Sequence, residues 1–397
     1  MKKFIYYPSV SVGVLGGEIL KDNELDDFIP IRYYSEKMKE RCPKYYHPYY
    51  LVTAGHFYKK DTYSVDAGLV DTGVDVFGDS GGYQIATGAI EFSDEMIDKI
   101  YTWLERNAQV APIIDIPPMA VMNSKRFTSY DQCLNTTYDN AKKLLERPKT
   151  DTDFLNVMQG FSYSQIDQWF TKMNELKLDG WAISGVSKIN LLFYKLAVLK
   201  ASGELDREGM KYIHIFGISK VSDFIILSKL QNILNKITNG RVQLSTDSSS
   251  PGRGAAFGTY YMDYDLKKMT FNSTTFSNKN MEFIDDAKLP CDCPVCENTT
   301  FSIIKNFNTA TYSRMIIHNI FKFVDLYHKV DKVVNSHQEL QNDVFDKKFI
   351  KVLDSLEAIM TSDNPVVEYR KHIGLYGEIK AKQEIEAKSN NLDSFTA

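Results

Sequence analysis

The chain has 397 residues, 43% of them apolar and 25% charged, with a formal net charge of −4. That length supports one large domain with a smaller appendage and a full hydrophobic core, and the composition is that of a soluble globular protein. The acidic balance excludes binding of a polyanion through overall charge, so a nucleic-acid partner has to be met by a local basic patch.

The N-terminal run MKKFIYYPSVSVGVLGGEIL is interrupted by Pro8, Gly13 and Gly16, which is too broken for a membrane span or a signal-peptide core. The expected location is intracellular, in the cytoplasm. The segment KMKERCPKYYHPYY (37–50) mixes cations with aromatics. It reads either as a strip that tracks a nucleic-acid backbone or as a solvated tyrosine-rich loop. From residue 49 a unit then recurs: a short apolar run ends in glycine or a small polar residue, and a helical stretch follows. The runs are YYLVTAGH (49–56), VDVFGDSGG (74–82), VAPIIDIPP (110–118), FLNVMQG (154–160), GWAISGV (180–186), KYIHIFGIS (211–219) and VQLSTDSS (242–249). Between them, Asp94 to Gln109 places Met96, Ile97, Ile100, Tyr101 and Leu104 on one face behind Ser93 as N-cap. Ser222 to Ile237 repeats Phe224, Leu227, Leu230 and Leu234 at helical spacing.

Continuous apolar strands alternating with helices predict a parallel sheet covered on both faces. Seven units, with room for an eighth near 257–272, fit a (β/α)₈ TIM barrel better than a doubly wound sheet, whose glycine-rich phosphate fingerprint is missing after the first strand. The expected division is a barrel body over 1–272 with an N-terminal extension, a metal-binding subdomain over 273–330, and a C-terminal helical region with a polar tail over 331–397. Lys347 to Met360 is predicted as an amphipathic helix, and the stretch from about Lys380 as a frayed end.

In such barrels chemistry sits at the C-terminal ends of the strands, where Asp79, Asp115, Gln159, Ser184, Gly217 and Asp247 all fall. Asp79 (FGDSGGYQ) and Asp247 (LSTDSSSPGR) form a strand-end carboxylate pair suited to an anomeric carbon, one as nucleophile and one as acid/base. Tyr83 beside the first suits stacking on a flat base. Farther on, the run PCDCPVC places Cys291, Cys293 and Cys296 on one tight turn. That spacing favours a soft metal ion, above all zinc, with His318 the nearest fourth ligand and His328 the next. An odd cysteine count without regular spacing elsewhere argues against a disulfide framework.

The ordered set DSGGYQ, VMQG, GWAISGV, IFGIS, TDSSSPGR and C-x-C-x-x-C with a downstream histidine resembles the tRNA-guanine transglycosylase superfamily, from about residue 75 to 320. The resemblance implies a zinc-containing (β/α)₈ barrel that exchanges a guanine in nucleic acid for a 7-deazaguanine. It implies Asp247 as nucleophile and Asp79 as general acid/base. Asp115 and Gln159 would read the base edge, with Ser80 and the main chain of Gly185 and Val186, while Tyr83 and Phe216 sandwich the ring. Arg253 would contact the nucleic-acid backbone, and Cys291, Cys293, Cys296 and His318 would hold a structural zinc.

The pattern also departs from the tRNA enzymes. Ser184 replaces the first glycine of a pair, SSSPGRG replaces a more apolar stretch, and Asn190 stands where a glutamate meets a cationic aminomethyl group. Those changes point to a neutral base, 7-cyano-7-deazaguanine, and to a polymer other than the anticodon loop. The chain is most similar to the DNA-modifying branch, the DpdA-type DNA-guanine transglycosylases, which would place it in the host cytoplasm if phage-encoded. A tRNA substrate, a non-catalytic partner subunit, a homodimer or dependence on helper proteins, and a hydrolase with catalytic zinc stay open as alternatives.

Overall fold

The computed structural model describes residues 1–9, 33–59, 73–184, 189–276, 287–297, 299–305, 309–336, 341 and 343–376. The seven apolar runs form seven strands: β2 (Tyr49–Thr53), β3 (Asp75–Asp79), β4 (Val110–Pro112), β5 (Asp153–Met158), β6 (Gly180–Ile183), β7 (Tyr212–Ile215) and β8 (Gln243–Ser248). With β1 (Ile5–Pro8) they make an eight-stranded sheet in the order β1-β8-β7-β6-β5-β4-β3-β2. Every pairing in it is parallel. A parallel bridge from Ser9 to Leu51 brings the two edges together and all but closes the ring. This is a (β/α)₈ TIM barrel.

The eighth strand is not where the spacing placed it. Residues 257–272 were expected to supply it, but Thr259–Asp265 (β9) and Thr270–Thr275 (β10) form a separate antiparallel pair. Only four residues separate them, too few for the crossover a parallel neighbour needs. Asp265 Oδ1 accepts from the Lys267 and Lys268 amides, and Met269 takes a positive φ of 57° to finish the turn. The true eighth strand is the N-terminal IYYP, whose Tyr7 is in register with Asp247. Pro8 ends that strand instead of interrupting it, so its missing N–H costs little.

The helices close over the strands for local reasons. Ser93, Ser129 and Ser162 each accept from the amide three residues on, capping the helices Asp94–Asn107, Tyr130–Leu145 and Tyr163–Met173. Asp94–Asn107 buries the predicted Met96, Ile97, Ile100, Tyr101 and Leu104, together with Trp103. Val221–Ile237 is buried almost all round, because Thr309–Val334 and Lys347–Thr361 pack outside it. The first of these outer helices also covers β1: the Tyr327 ring meets Phe4 edge-on at 5.0 Å, and Phe323 lies against Tyr6.

The tyrosines of 37–50 are not a solvated loop or a stacking strip. Tyr45, His47 and Tyr50 are buried in the core, while Lys37, Lys39, Arg41 and Lys44 face outward. Apolar ring area outweighs the polar hydroxyl tip here, and of the outward cations Lys39 is paired with Glu36 and Lys44 with Asp292. Among the described residues no helix is long and apolar enough to cross a membrane. The expected frayed end beyond Lys380 lies outside the described residues.

Candidate active site and metal centre

Side chains alternate in and out along each strand, so β3 sends Asp75, Phe77 and Asp79 into the barrel and β7 sends Tyr212, His214 and Phe216. The interior proves this reading. Strands β3 and β7 are not neighbours, yet the Phe77 and His214 rings stack 3.8 Å apart at 19°, which they can only do across the barrel. Tyr7 from β1 joins them, with its ring 5.4 Å from Phe77. Two residues beyond this middle layer, at the C-terminal mouth, come Asp79 on β3 and Asp247 on β8.

Each carboxylate is held by its surroundings. Thr53 lies in register with Asp79 and its hydroxyl donates to it, as do the Ser80 and Gly81 amides. Gly81 has a φ of 87°, which turns the loop back over the carboxylate at no steric cost. Asp247 Oδ1 accepts from the Gly217 amide at 2.8 Å. The two carboxylates are near enough to feel each other. Asp79 is raised to about 6: burial pushes it up most, the Thr53 hydroxyl and loop amides pull it back, and the charge of Asp247 adds to the rise.

Asp115 sits deeper, 7% exposed, and accepts from Gln159 Nε2 at 2.6 Å. Burial pushes its carboxyl up to about 7, against the pull of Gln159, and Asp79 adds to the rise. A Cβ on Gly82 would lie 2.5 Å from Asp115 Oδ1, so that glycine keeps room for the carboxylate. Between the unfolded value, near 3.8, and about 7 the folded chain holds a proton the unfolded chain has lost. Stability contributed by this group is therefore present at low pH and is lost as pH rises through that window. Asp115→Asn keeps an acceptor for Gln159 and removes the penalty. It is expected to gain about 4 kcal/mol at pH 8 and far less at pH 4, read by urea denaturation at both pH values. An equal gain at the two pH values would contradict the burial of a raised carboxyl here.

The other expected site residues divide. The Ser80 hydroxyl is committed to the Ile113 carbonyl at 3.1 Å and is fully buried, so it ties β3 to the chain after β4, and only its amide serves the site. Tyr83 is 61% exposed at the mouth, while Phe216 packs edge-on against His214 at 4.7 Å. Arg253, on Ser250–Ala256, is exposed. Gly185 and Val186 lie outside the described residues. Sequence reasoning passed over Thr53, His214 and Lys195. Each carried a signal: Thr53 ends a strand beside β3, and His214 is the lone charged-capable residue inside an apolar strand. Lys195 stands mid-helix in INLLFYKLAVLKA. Its ammonium is fully buried, donating to the Ser184 carbonyl and reaching the Met158 carbonyl at 3.5 Å, and burial pushes it down to about 7. It thus ties together the mouth ends of β5 and β6.

Away from the mouth, the ligand atoms of Cys291, Cys293, Cys296 and His318 all lie within 4.8 Å of one another. His318 Nδ1 is 3.2 Å from Cys296 Sγ and 3.5 Å from Cys293 Sγ. Its Nε2 lies 2.8 Å from the Tyr261 carbonyl, which requires Nε2–H and leaves the Nδ1 lone pair facing the thiols. About 3.8 Å between sulfurs is what a tetrahedral ion with bonds near 2.3 Å imposes, so the donor set fits a metal ion. His328 is elsewhere, beside His47 and Tyr327. All five cysteines are free thiols. The supporting shell comes from β9 and Thr309–Val334. The Tyr260 ring lies flat on His318 at 3.9 Å, and its hydroxyl is 3.3 Å from Cys296 Sγ. Buried Asn319 spends its amide on the Pro251 and Thr259 carbonyls and its Oδ1 on the Tyr261 amide, pinning the hairpin to the helix.

Comparison of the chain with known protein families and with curated proteins gives no match.

Proposed function

We propose that the chain is a base-exchange transglycosylase that replaces guanine in a nucleic acid with a 7-deazaguanine such as 7-cyano-7-deazaguanine, through a covalent aspartyl-sugar intermediate on Asp247. The observation that carries this reading is the placing of two carboxylates, Asp79 on β3 and Asp247 on β8, at the C-terminal ends of parallel strands in one barrel. Exchange without an energy source needs the glycosidic bond energy kept in a covalent intermediate, hence a nucleophile. Asp247 supplies it. The departing guanine takes a proton and the incoming base gives one up, so the second carboxyl has to work both ways near neutrality. Asp79, raised to about 6, is suited to that task.

Asp115 and Gln159 form the base-reading wall. A carboxylate accepts two N–H bonds from a guanine-like edge, and Gln159 already orients it. Such a base, donating to Asp115, pulls its raised carboxyl back to the ionised form on binding. The target nucleotide has to leave its stack to reach this depth. The metal taken by Cys291, Cys293, Cys296 and His318 is zinc in a closed structural site: four protein ligands leave no open position for substrate. DNA is the favoured polymer because Ser184, Asn190 and SSSPGRG depart from the tRNA pattern.

The test is incubation with labelled duplex DNA, single-stranded DNA and tRNA, each with and without 7-cyano-7-deazaguanine, followed by a denaturing gel. A denaturant-stable protein–DNA complex, with the deazaguanine incorporated on chase, is the expected result. A complex with tRNA alone would move the polymer to tRNA, and no complex with any of the three would overturn the proposal.

A further inference from the structure

His214 lies in the middle layer of the barrel, directly beneath the mouth, and is fully buried. Its ring is clamped face-on by Phe77 and edge-on by Phe216, with Tyr7 farther off. Among the described residues, two polar groups from β8 approach its ring nitrogens. Nδ1 lies 2.9 Å from Ser245 Oγ, and Nε2 lies 3.4 Å from Asp247 Oδ1. That second contact is too long to count as a hydrogen bond, so among the described residues Nε2 is a buried polar atom without a hydrogen-bond partner, and Asp247 is the acceptor it faces. An ionised carboxylate only accepts, so the arrangement has one consistent proton order: the Ser245 hydroxyl donates to Nδ1, and Nε2–H points at Asp247. The Gly217 amide donates to the same oxygen, Oδ1, at 2.8 Å. Oδ1 of Asp247 is therefore hydrogen-bonded by the Gly217 amide and faced at 3.4 Å by His214 Nε2, a polar contact short of a hydrogen bond, and neither group lies on Oδ2.

We infer that His214 is a positioning residue: with the Gly217 amide it fixes Asp247 Oδ1 and so presents Oδ2 as the attacking oxygen. This rests on the transglycosylase reading for its chemistry. In the first step an Oδ2 lone pair forms the C–O bond at the anomeric carbon as the C–N glycosidic bond breaks. The bond's electron pair leaves with the guanine, which takes the proton from Asp79. In the second step the incoming base, giving its proton to Asp79, displaces the ester, and the pair in the C–O bond returns to Asp247. Charge then redevelops on a carboxylate whose Oδ1 already faces two donors, so the leaving group needs no reorganisation. Burial lowers the basicity of His214 despite the nearby carboxylate, which keeps the ring a neutral donor and Asp247 free of a tight ion pair.

Two measurements test the inference. The first needs no substrate: in protein labelled with ¹⁵N-histidine, the His214 signal, assigned by its loss in His214→Phe, is expected as the neutral Nε2–H tautomer from pH 6 to 8. A neutral Nδ1–H tautomer, or an imidazolium throughout that range, would overturn the inference whatever the protein acts on. The second uses the polymer that forms the covalent complex. His214→Phe keeps the stack on Phe77 and is expected to lower kcat about 10- to 100-fold with KM within about threefold. His214→Gln, which retains an N–H donor, is expected to recover most of that loss, and both variants to melt within a few degrees of the parent. Unchanged kcat in His214→Phe, or no recovery in a folded His214→Gln, would overturn it. Absence of any complex with the parent protein would instead remove the transglycosylase reading and leave the tautomer result standing.

Discussion

Asp247→Asn is expected to abolish base exchange, by ~10⁴-fold or more, while the protein folds as before. The amide oxygen of Asn can still accept from the Gly217 amide, so the strand end keeps its geometry. What is lost is the lone pair able to form and then release an ester. The substitution also removes the charge that raises Asp79, so the Asp79 carboxyl falls toward its ordinary range, limited by the burial that dominates its shift. Two readouts follow: no denaturant-stable complex on a gel, and a downward-shifted Asp79 titration by carbon NMR. Asp79→Asn is the contrasting case. It keeps the nucleophile and loses the proton carrier, so slow complex formation is expected, down about 10²- to 10⁴-fold. Base exchange that persisted in Asp247→Asn would show that the nucleophile lies elsewhere.

The barrel was legible because its seven middle strands are buried on both faces and leave continuous apolar runs, each ending in a small residue. The eighth was not, because Ile5–Pro8 is separated from β2 by a long stretch of chain and so stands outside the regular strand–helix repeat. Local periodicity says nothing about a pairing that spans 240 residues, such as Tyr7 with Asp247. The hairpin 259–275 showed the opposite failure: its pattern was strand-like, and only the tightness of its turn forbade a place in the barrel. The mouth carboxylates were found because each ends a strand. His214 and Lys195 were missed because strand and helix patterns treat an isolated polar residue as noise, although burial of such a group always demands an explanation. The tyrosines of 45–50 misled for a related reason: composition cannot tell a stacking surface from a core until the neighbours are placed.

If the Cys291, Cys293, Cys296 and His318 cluster holds the structural metal proposed above, its removal is expected to loosen the closing seam of the barrel, and the proposed base exchange to fall with it. Cys293, Cys296 and His318 are at most 1% exposed, and without an ion three thiols and an imidazole face one another in a dry site. Structural zinc sites of this kind contribute about 10–16 kcal/mol in isolated peptides, and the share seen here is whatever the surrounding packing cannot replace. The path of the damage is defined. The ligands join the cysteine turn to Thr309–Val334, and Tyr260 and Asn319 join that helix to β9. The same helix covers Tyr6 on β1 and Phe4 just before it, and β1 is the neighbour of β8, which carries Asp247. Chelation under mild denaturant, or Cys293→Ser, is therefore expected to raise hydrogen exchange across 259–334 and then at residues 5–8, while β3 to β5 stay protected. Cobalt(II) added back is expected to restore protection and to show the thiolate charge-transfer bands of a tetrahedral S₃N site. Exchange unchanged by metal removal would deny the site its structural role. Exchange lost evenly throughout the barrel would show that the metal holds the whole fold and not this seam. Only loss confined to the seam makes the metal a support for Asp247 at a distance.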